Sequence, residues 1–208
     1  PSPKTAWGCY LGLKAAAEEK FGTSDLKGLT VALEGAGSVG GVYADLIAKE
    51  GGKIIAADIK DKAARAVAEA TGGTVVSADE IRSVDCDVYA PCALGGSVND
   101  ETIANLNARV ICGAANNQLL RPEHGEMLRE RGVLYAPDYV VNAGGLINVY
   151  HELVPGRYIE DAAMAQMDSI RQNLLKIFQL AREEGICTAV AADRFGEARV
   201  LAAMEEAK

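Results

Sequence analysis

The sequence has little positive charge and only two histidines, and each scarcity excludes a class of function. It contains 21 lysines and arginines against 29 aspartates and glutamates, which gives a net charge of −8. Because nucleic-acid affinity rests on a basic patch, and no basic stripe is visible, nucleic acid is not an expected partner. His124 and His151 stand in unrelated segments without a second ligand at helical spacing. We therefore predict no metal site.

Long hydrophobic runs are also missing. No apolar stretch approaches the roughly 20 residues that a membrane-spanning helix needs, and residues 1–5 have no signal-peptide layout. We expect a cytoplasmic protein with no membrane partner. The five cysteines are an odd number without a C-x-x-C pair, and all except Cys92 lie in apolar stretches, which favours buried free thiols.

The composition that is present is typical of a globular protein: 49% of the residues are hydrophobic, 24% are charged, and 22 glycines stand near apparent turns. Strand and helix periodicities alternate along residues 29–136, and only helical periodicity follows from residue 145. The predicted strands cover residues 29–34, 53–58, 75–76, 87–91, 109–112 and 133–136. The predicted helices cover residues 5–21, 39–47, 61–70, 100–106, 122–130, 159–184 and 189–207.

This alternation predicts an α/β, Rossmann-like fold, in which a doubly wound, mostly parallel sheet has helices on both faces. No repeat or low-complexity linker divides the chain. We expect a single domain over residues 1–208, with a helical C-terminal segment at residues 146–208.

Residues 35–40, Gly-Ala-Gly-Ser-Val-Gly, fit the pattern G-x-G-x-x-G between a predicted strand and a predicted helix. The pattern alone is weak, but Asp58 ends the next strand at the distance that a dinucleotide-binding turn requires. Gly35 would permit the tight turn, Gly37 the approach of a pyrophosphate, and Gly40 close helix packing. The Asp58 carboxylate would accept hydrogen bonds from the ribose hydroxyls and repel a 2′-phosphate, which predicts NAD rather than NADP as the cofactor. The cofactor residues predicted here are Gly35, Gly37, Ser38, Val39, Gly40 and Asp58.

Small and polar residues follow three later strands, in segments 91–96, 113–117 and 138–145. Because ligands of open α/β sheets bind outside the carboxyl ends of the strands, we expect these loops to converge on one crevice. The amides of Asn116 and Asn142 suit a carboxamide such as that of nicotinamide, and small neighbouring residues leave room for a flat ring. The residue types alone leave a structural role in turns equally open.

These loops and the N-terminal segment resemble the leucine, phenylalanine and valine dehydrogenase branch of the amino-acid dehydrogenase family, which also includes glutamate dehydrogenases. The motifs are Pro-Ser-Pro-x-Thr-Ala at 1–6, the glycine turn at 35–40, Ala-Pro-Cys-Ala-Leu-Gly at 90–95, Gly-Ala-Ala-Asn-Asn at 113–117, Tyr-Ala-Pro-Asp-Tyr at 135–139, Asn-Ala-Gly-Gly at 142–145 and Ala-Ala-Asp-Arg at 191–194. The resemblance implies reversible NAD-dependent oxidative deamination of an apolar, leucine-like L-amino acid to its 2-oxo acid and ammonia.

Matched position by position, the resemblance implies that Thr5 and Asn116 contact the nicotinamide end of the cofactor. Asn142 would lie between cofactor and substrate. Leu146 would shape the substrate side-chain pocket, and because several leucine-specific members carry a smaller residue there, a bulkier substrate such as phenylalanine stays open. The residues assigned to the cofactor in this way are Thr5, Cys92, Ala93, Ala114, Asn116 and Asn142.

The family's catalytic lysine and aspartate belong to an N-terminal domain that these 208 residues are expected not to contain. We therefore assign no catalytic residue, and expect the isolated chain to bind NAD with little or no turnover. The resemblance also implies a small-molecule amino-acid substrate and a homo-oligomer for full-length members.

Three other functions stay open at this point. The chain could be a non-catalytic NAD(H)-sensing module, or an enzyme that uses S-adenosylmethionine or a flavin on the same fold. It could also be the cofactor domain of a glutamate dehydrogenase, which would be expected to show Ala-Thr-Gly at residues 4–6. In a purely structural alternative, the glycines only make a tight turn and Asp58 caps the next helix.

Overall fold

A computed structural model of the chain describes residues 2–153 and 160–206. Its strands are β1 (Thr30–Glu34), β2 (Lys53–Ala57), β3 (Thr74–Val75), β4 (Val88–Pro91), β5 (Val110–Ile111) and β6 (Leu134–Tyr135). They form one sheet in the order β3-β2-β1-β4-β5-β6, and every neighbouring pair is parallel. The predicted fold class is confirmed.

Helices connect and cover the strands. They are α1 (Ser2–Phe21), α2 (Ser38–Lys49), α3 (Asp61–Thr71), α4 (Asp100–Asn105), α5 (Glu123–Glu130), α6 (Asp138–Val141), α7 (Gly144–Leu153), α8 (Glu160–Glu184) and α9 (Thr188–Glu206). The two predicted C-terminal helices correspond to α8 and α9; their predicted ends Ile159 and Ala207, and Pro1 of the first motif, lie outside the described residues. No helix in the described ranges is long and apolar enough to cross a membrane.

Two differences from the predicted elements have a physical reason. The predicted fifth strand is longer than β5, although the Arg109 and Cys112 N–H groups still donate to carbonyls of the β4 segment beyond the regular ladder. Residues 138–141, predicted as loop, form the single helical turn α6. That turn is held by backbone bonds such as the one from the Asn142 N–H to the Asp138 carbonyl, which apolar periodicity does not reveal.

The core has two layers because successive side chains of a strand point to opposite faces of the sheet. Leu33 of β1 belongs to the layer that includes Tyr43 of α2 and Leu174 of α8. Its neighbour Ala32 belongs to the layer that includes Leu128 of α5. All five cysteines are free thiols, buried except for the half-buried Cys92, as predicted.

The strand order determines where a ligand site can form. From β1 the chain moves outward through β2 to β3, and it then returns to the other side of β1 and continues through β4, β5 and β6. The connections therefore diverge between β1 and β4, where Glu34 and Pro91 are register partners at the carboxyl end. In open α/β sheets such a switch point opens a crevice.

Candidate functional site

The crevice begins at the glycine turn that connects β1 to α2. Gly35 has a φ of 103°, which side chains rarely adopt, and a Cβ there would lie 2.7 Å from the Ala93 nitrogen. A Cβ on Gly40 would lie 2.0 Å from the Gly35 carbonyl oxygen. Glycine at these two positions therefore allows the loop after β4 and the first turn of α2 to pack against the turn.

Gly37 faces open space instead. It is the N-cap of α2, and apart from its own chain neighbours no heavy atom in the described part of the chain lies within 4 Å of a Cβ built on it. No side chain caps this helix start. The Ser38 hydroxyl lies 3.3 Å from the Ser2 hydroxyl, and Val39 packs on the core. The first N–H groups of a helix lack intrahelical acceptors and carry partial positive charge, so this end of α2 can receive an anion.

Asp58 follows β2 and turns its carboxylate toward the glycine turn. Its Oδ2 accepts the Ala36 N–H and its Oδ1 accepts the Lys60 N–H, both at 2.8 Å. Each oxygen has two lone pairs, so the carboxylate keeps capacity for further hydrogen bonds. The next helix has Lys60 as its N-cap and Asp61 as its first residue, and the Asp61 carboxylate pairs with Arg65.

Cys92 and Ala93 lie directly against the glycine turn. The Cys92 N–H donates to the Glu34 carbonyl at 2.7 Å, and its Sγ accepts the Ala114 N–H at 3.4 Å. Burial raises the pKa of the Cys92 thiol to about 12, so the thiol is neutral at physiological pH. This cysteine can line the crevice, and its neutral thiol is a weaker nucleophile than a thiolate.

Two large apolar side chains that the sequence analysis did not select are exposed on the loops beside these residues. Ile59 follows Asp58 and is 90% exposed, and Leu94 follows Ala93 and is 81% exposed. They follow β2 and β4, the two strands that flank β1, so both lie on loops at the carboxyl edge of the sheet; we call these two side chains the apolar rim.

Asn116 and Asn142, from the loops after β5 and β6, are hydrogen-bonded to each other. The Asn142 Nδ2 donates to the Asn116 Oδ1 at 2.7 Å and lies 3.3 Å from the Ala114 carbonyl oxygen. Each amide has donor and acceptor capacity beyond this one bond. The structure thus brings together two of the amides selected from sequence; we call them the amide pair.

The first turn of α1 packs on the start of α7 through contacts that only glycine permits. A Cβ on Gly144 would lie 2.2 Å from the Lys4 carbonyl oxygen, and one on Gly145 would lie 2.5 Å from the Thr5 Oγ1. Thr5 is therefore placed beside the twin glycines that follow Asn142 by two residues. The sequence motif at residues 1–6 is therefore in contact with the motif at residues 142–145.

Leu146, selected for the substrate pocket, lies on α7 with its side chain 74% exposed. Tyr150 and Leu153 of the same helix are also exposed and follow it by four and seven residues, which places the three on one helix face. The described part of the chain therefore does not enclose this side chain.

Two buried polar residues without an assigned role connect the loops of the amide pair. Gln118 donates through Nε2 to the carbonyls of Gly113 at 2.8 Å and Ala115 at 3.0 Å. Asp138 accepts the Gln118 N–H through Oδ2 at 2.7 Å. Apolar periodicity predicts burial of apolar residues only, and the available signal was the position of Asp138 directly after a strand and Pro137.

A separate cavity of about 450 Å³ lies beside β6, among the C-terminal ends of α1, α5 and α8. It contains none of the residues selected for cofactor or substrate. Its three lining cations are already engaged: Lys20 donates to the Gly132 carbonyl at 2.6 Å, Arg129 pairs with Glu126, and Arg182 pairs with Glu19. Over residues 2–153 and 160–206, no cluster of three His, Cys, Asp or Glu side chains could hold a metal ion.

Known proteins are similar to this chain in both sequence and architecture. The sequence model of the Glutamate/Leucine/Phenylalanine/Valine dehydrogenase family matches residues 57–207. A leucine dehydrogenase from Bacillus cereus is 47% identical over 200 residues, covering 96% of this chain and 54% of that protein. A valine dehydrogenase from Streptomyces albus is 43% identical over 199 residues, covering 94% and 54%. The crystal structure of L-tryptophan dehydrogenase from Nostoc punctiforme matches with a TM-score of 0.93 and 44% identity, covering 96% of this chain and 60% of that one. The chain spans about half the length of the curated relatives it matches.

Proposed function

Because the chain belongs to the glutamate, leucine, phenylalanine and valine dehydrogenase family, we propose that it is the NAD-binding part of an amino-acid dehydrogenase. The proposed reaction is the reversible oxidative deamination of an apolar L-amino acid to its 2-oxo acid and ammonia. When bound, the nicotinamide ring supplies the hydride acceptor for this chemistry. The matched relatives are named leucine, valine and tryptophan dehydrogenases, which supports an apolar substrate class.

The observation that carries the proposal is the uncapped start of α2 beside the open position at Gly37. A pyrophosphate needs backbone N–H donors and a backbone without a side chain in its way, and residues 37–40 supply both. A Cβ at Gly37 would project into the space that the phosphates require, although it would meet no described protein atom. The residues present therefore fit a dinucleotide.

At the adenosine end, we assign Asp58 to the ribose hydroxyls and the apolar rim of Ile59 and Leu94 to the adenine faces. The Asp58 carboxylate can accept hydroxyl donors while it holds the Ala36 and Lys60 N–H groups. A 2′-phosphate near the same carboxylate would be repelled, which is the basis of the proposed preference for NAD over NADP. Cys92 and Ala93 would line the ribose.

At the nicotinamide end, we assign the amide pair and Thr5 to the carboxamide, with Ala114 leaving room for the ring. Asn142 would face both cofactor and substrate, and Leu146 would contact the substrate side chain. The exposure of Leu146 means that groups outside the described residues would complete this pocket.

We propose that the 208-residue chain by itself turns over little or no substrate. Deamination requires a group that transfers protons near neutral pH, and the assigned residues at the nicotinamide end are amides, a hydroxyl and an apolar side chain. The matched relatives are about twice as long, so we assign proton transfer to the part of such a protein beyond these residues.

The glycine substitutions Gly37→Ala and Gly41→Ala test the proposal as a matched pair. Gly37 has a φ of −76°, which alanine adopts, so the variant should fold with a loss of at most about 1 kcal/mol from the weaker N-cap. Calorimetric titration should show NADH binding at least about tenfold weaker than in the wild type, because the methyl group occupies the phosphate space.

Gly41 lies in the same helix, and a Cβ there makes only an ordinary contact of 3.5 Å with Val67. Gly41→Ala should therefore bind NADH as the wild type does. Equal NADH affinities for Gly37→Ala and Gly41→Ala would contradict a phosphate site at Gly37.

A further inference from the structure

We infer that Asp138 and Gln118 are positioning residues for the amide pair, an inference that rests on the cofactor binding proposed above. Gln118 is fully buried and Asp138 is 8% exposed, so neither is placed to touch the cofactor. They would act through Asn116 and Asn142, whose amides the proposal assigns to the nicotinamide end.

Asp138 accepts hydrogen bonds from both loops that carry the amide pair. Its backbone carbonyl accepts the Asn142 N–H at 2.8 Å, because the two residues are one helical turn apart in α6. Its Oδ2 accepts the Gln118 N–H at 2.7 Å, two residues beyond Asn116 in the neighbouring loop. One residue therefore connects the two loops across which the 2.7 Å bond between Asn142 Nδ2 and Asn116 Oδ1 forms.

Gln118 shapes the loop that carries Asn116. Its Nε2 donates to the Gly113 and Ala115 carbonyls, so residues 113–118 fold around this side chain. Its own carbonyl accepts the Val98 N–H at 2.9 Å, which ties the same loop to the segment after β4. The three loops of the crevice thus meet at Gln118.

The backbone at Asn117 explains why the loop needs this support. Its φ of 52° makes it the one non-glycine residue with a positive φ in the described part of the chain. Asparagine adopts this left-handed conformation more readily than other residues with a side chain, and the surrounding contacts hold it here. Here the Gly96 N–H donates to the Asn117 carbonyl at 2.7 Å, and Gln118 is fixed by Asp138. Without the Asp138 carboxylate, we expect the loop to relax and the Asn116 amide to leave its position.

The test compares two probes, NADH and ADP-ribose, which lacks the nicotinamide. In titrations of the 208-residue chain, Asp138→Ala should bind NADH about tenfold more weakly than the wild type, because a hydrogen bond to a charged acceptor is lost, while ADP-ribose binding changes by less than about twofold. Asp138→Asn retains an acceptor oxygen of the same size. It should restore NADH binding to within about threefold of the wild type.

Gln118→Met keeps the side-chain volume and removes the amide, so it should raise the NADH-to-ADP-ribose ratio of dissociation constants as Asp138→Ala does, even if the latter folds poorly. Leu128→Ala removes a buried apolar side chain of α5 and no polar contact of the loops, so it is the control for lost stability. It should lower Tm without changing that ratio.

The inference would be overturned if Asp138→Ala and Gln118→Met had the same NADH-to-ADP-ribose ratio of dissociation constants as the wild type. It would also be overturned if Leu128→Ala changed that ratio as much as they do. The outcome for the wild type separates the two proposals. If the wild type binds neither probe, the proposed function fails; if it binds both and the ratio never changes, only the positioning role fails.

Discussion

Replacing Asp58 with alanine removes a carboxylate that holds the glycine turn and is assigned to the adenosine ribose. In the structure it accepts the Ala36 and Lys60 N–H groups, each at 2.8 Å. A hydrogen bond to a charged group contributes about 1.5–3 kcal/mol when shielded from water, and less at a half-exposed position such as this one. We therefore expect Asp58→Ala to lower the free energy of unfolding by about 1–2 kcal/mol.

The effect on binding should be larger for NADH than for NADPH. Loss of a charged acceptor for the ribose hydroxyls should weaken NADH binding by about 10- to 100-fold, which corresponds to about 1.4–2.8 kcal/mol. NADPH should lose less, because the repulsion between the Asp58 carboxylate and the 2′-phosphate disappears with the carboxylate. The two dissociation constants should therefore approach each other.

Titration calorimetry with both nucleotides measures these constants, and Asp58→Asn is the matched control. The asparagine keeps the size and one acceptor oxygen, so it should retain most of the stability while it still loses discrimination between NADH and NADPH. Unchanged affinities of Asp58→Ala for both nucleotides would refute the role assigned to this carboxylate.

Steric and titration properties of the fold give two further expectations. Gly40→Ala places a Cβ 2.0 Å from the Gly35 carbonyl oxygen, so it should lower the free energy of unfolding by about 1–3 kcal/mol in denaturant titration. Gly41→Ala should not lower it, and equal stabilities of the two variants would contradict this packing. Burial raises the pKa of the Cys86, Cys92 and Cys112 thiols from 9.0 to about 12, which favours the neutral form in the fold. The stability from these thiols is present below pH 9 and lost as pH rises from 9 to 12, so the free energy of unfolding should fall over that interval, and a flat profile would be inconsistent with buried thiols.

Much of the fold could be predicted because the spacing of apolar residues indicates strands and helices, and the positions of glycines indicate the turns between them. The run at residues 29–34 corresponds to β1, and the alternation that follows it fixes a parallel sheet with covered faces. Strand ends were less accurate, since residues such as Arg109 and Cys112 still form inter-strand hydrogen bonds outside the ladder. The α6 turn was missed because Tyr139, Val140 and Val141 have low helix propensity, and tertiary contacts override it.

Some residues of the candidate site could likewise be predicted from the sequence, and others could not. Gly35, Gly37 and Gly40 could be selected from the sequence because the spacing of the glycines alone indicates a tight turn that a ligand can approach. The roles of Gln118 and Asp138 could not, because their hydrogen bonds join residues from different loops that only the folded chain brings together. Sequence reasoning therefore selects candidate ligand-binding residues more readily than the buried residues that connect their loops.

NMR titration of the ¹⁵N-labelled chain with NADH tests the proposal that a dinucleotide binds at the carboxyl edge of the sheet. NADH should shift the amide signals of residues 37–40 at the start of α2, the backbone signal of Asp58 and the side-chain amide signals of Asn116 and Asn142. Signals of residues that line the separate cavity beside β6, such as Gly132 and Ile186, should stay unchanged. No shifts at a large excess of NADH, or shifts confined to that cavity, would contradict dinucleotide binding at this edge of the sheet.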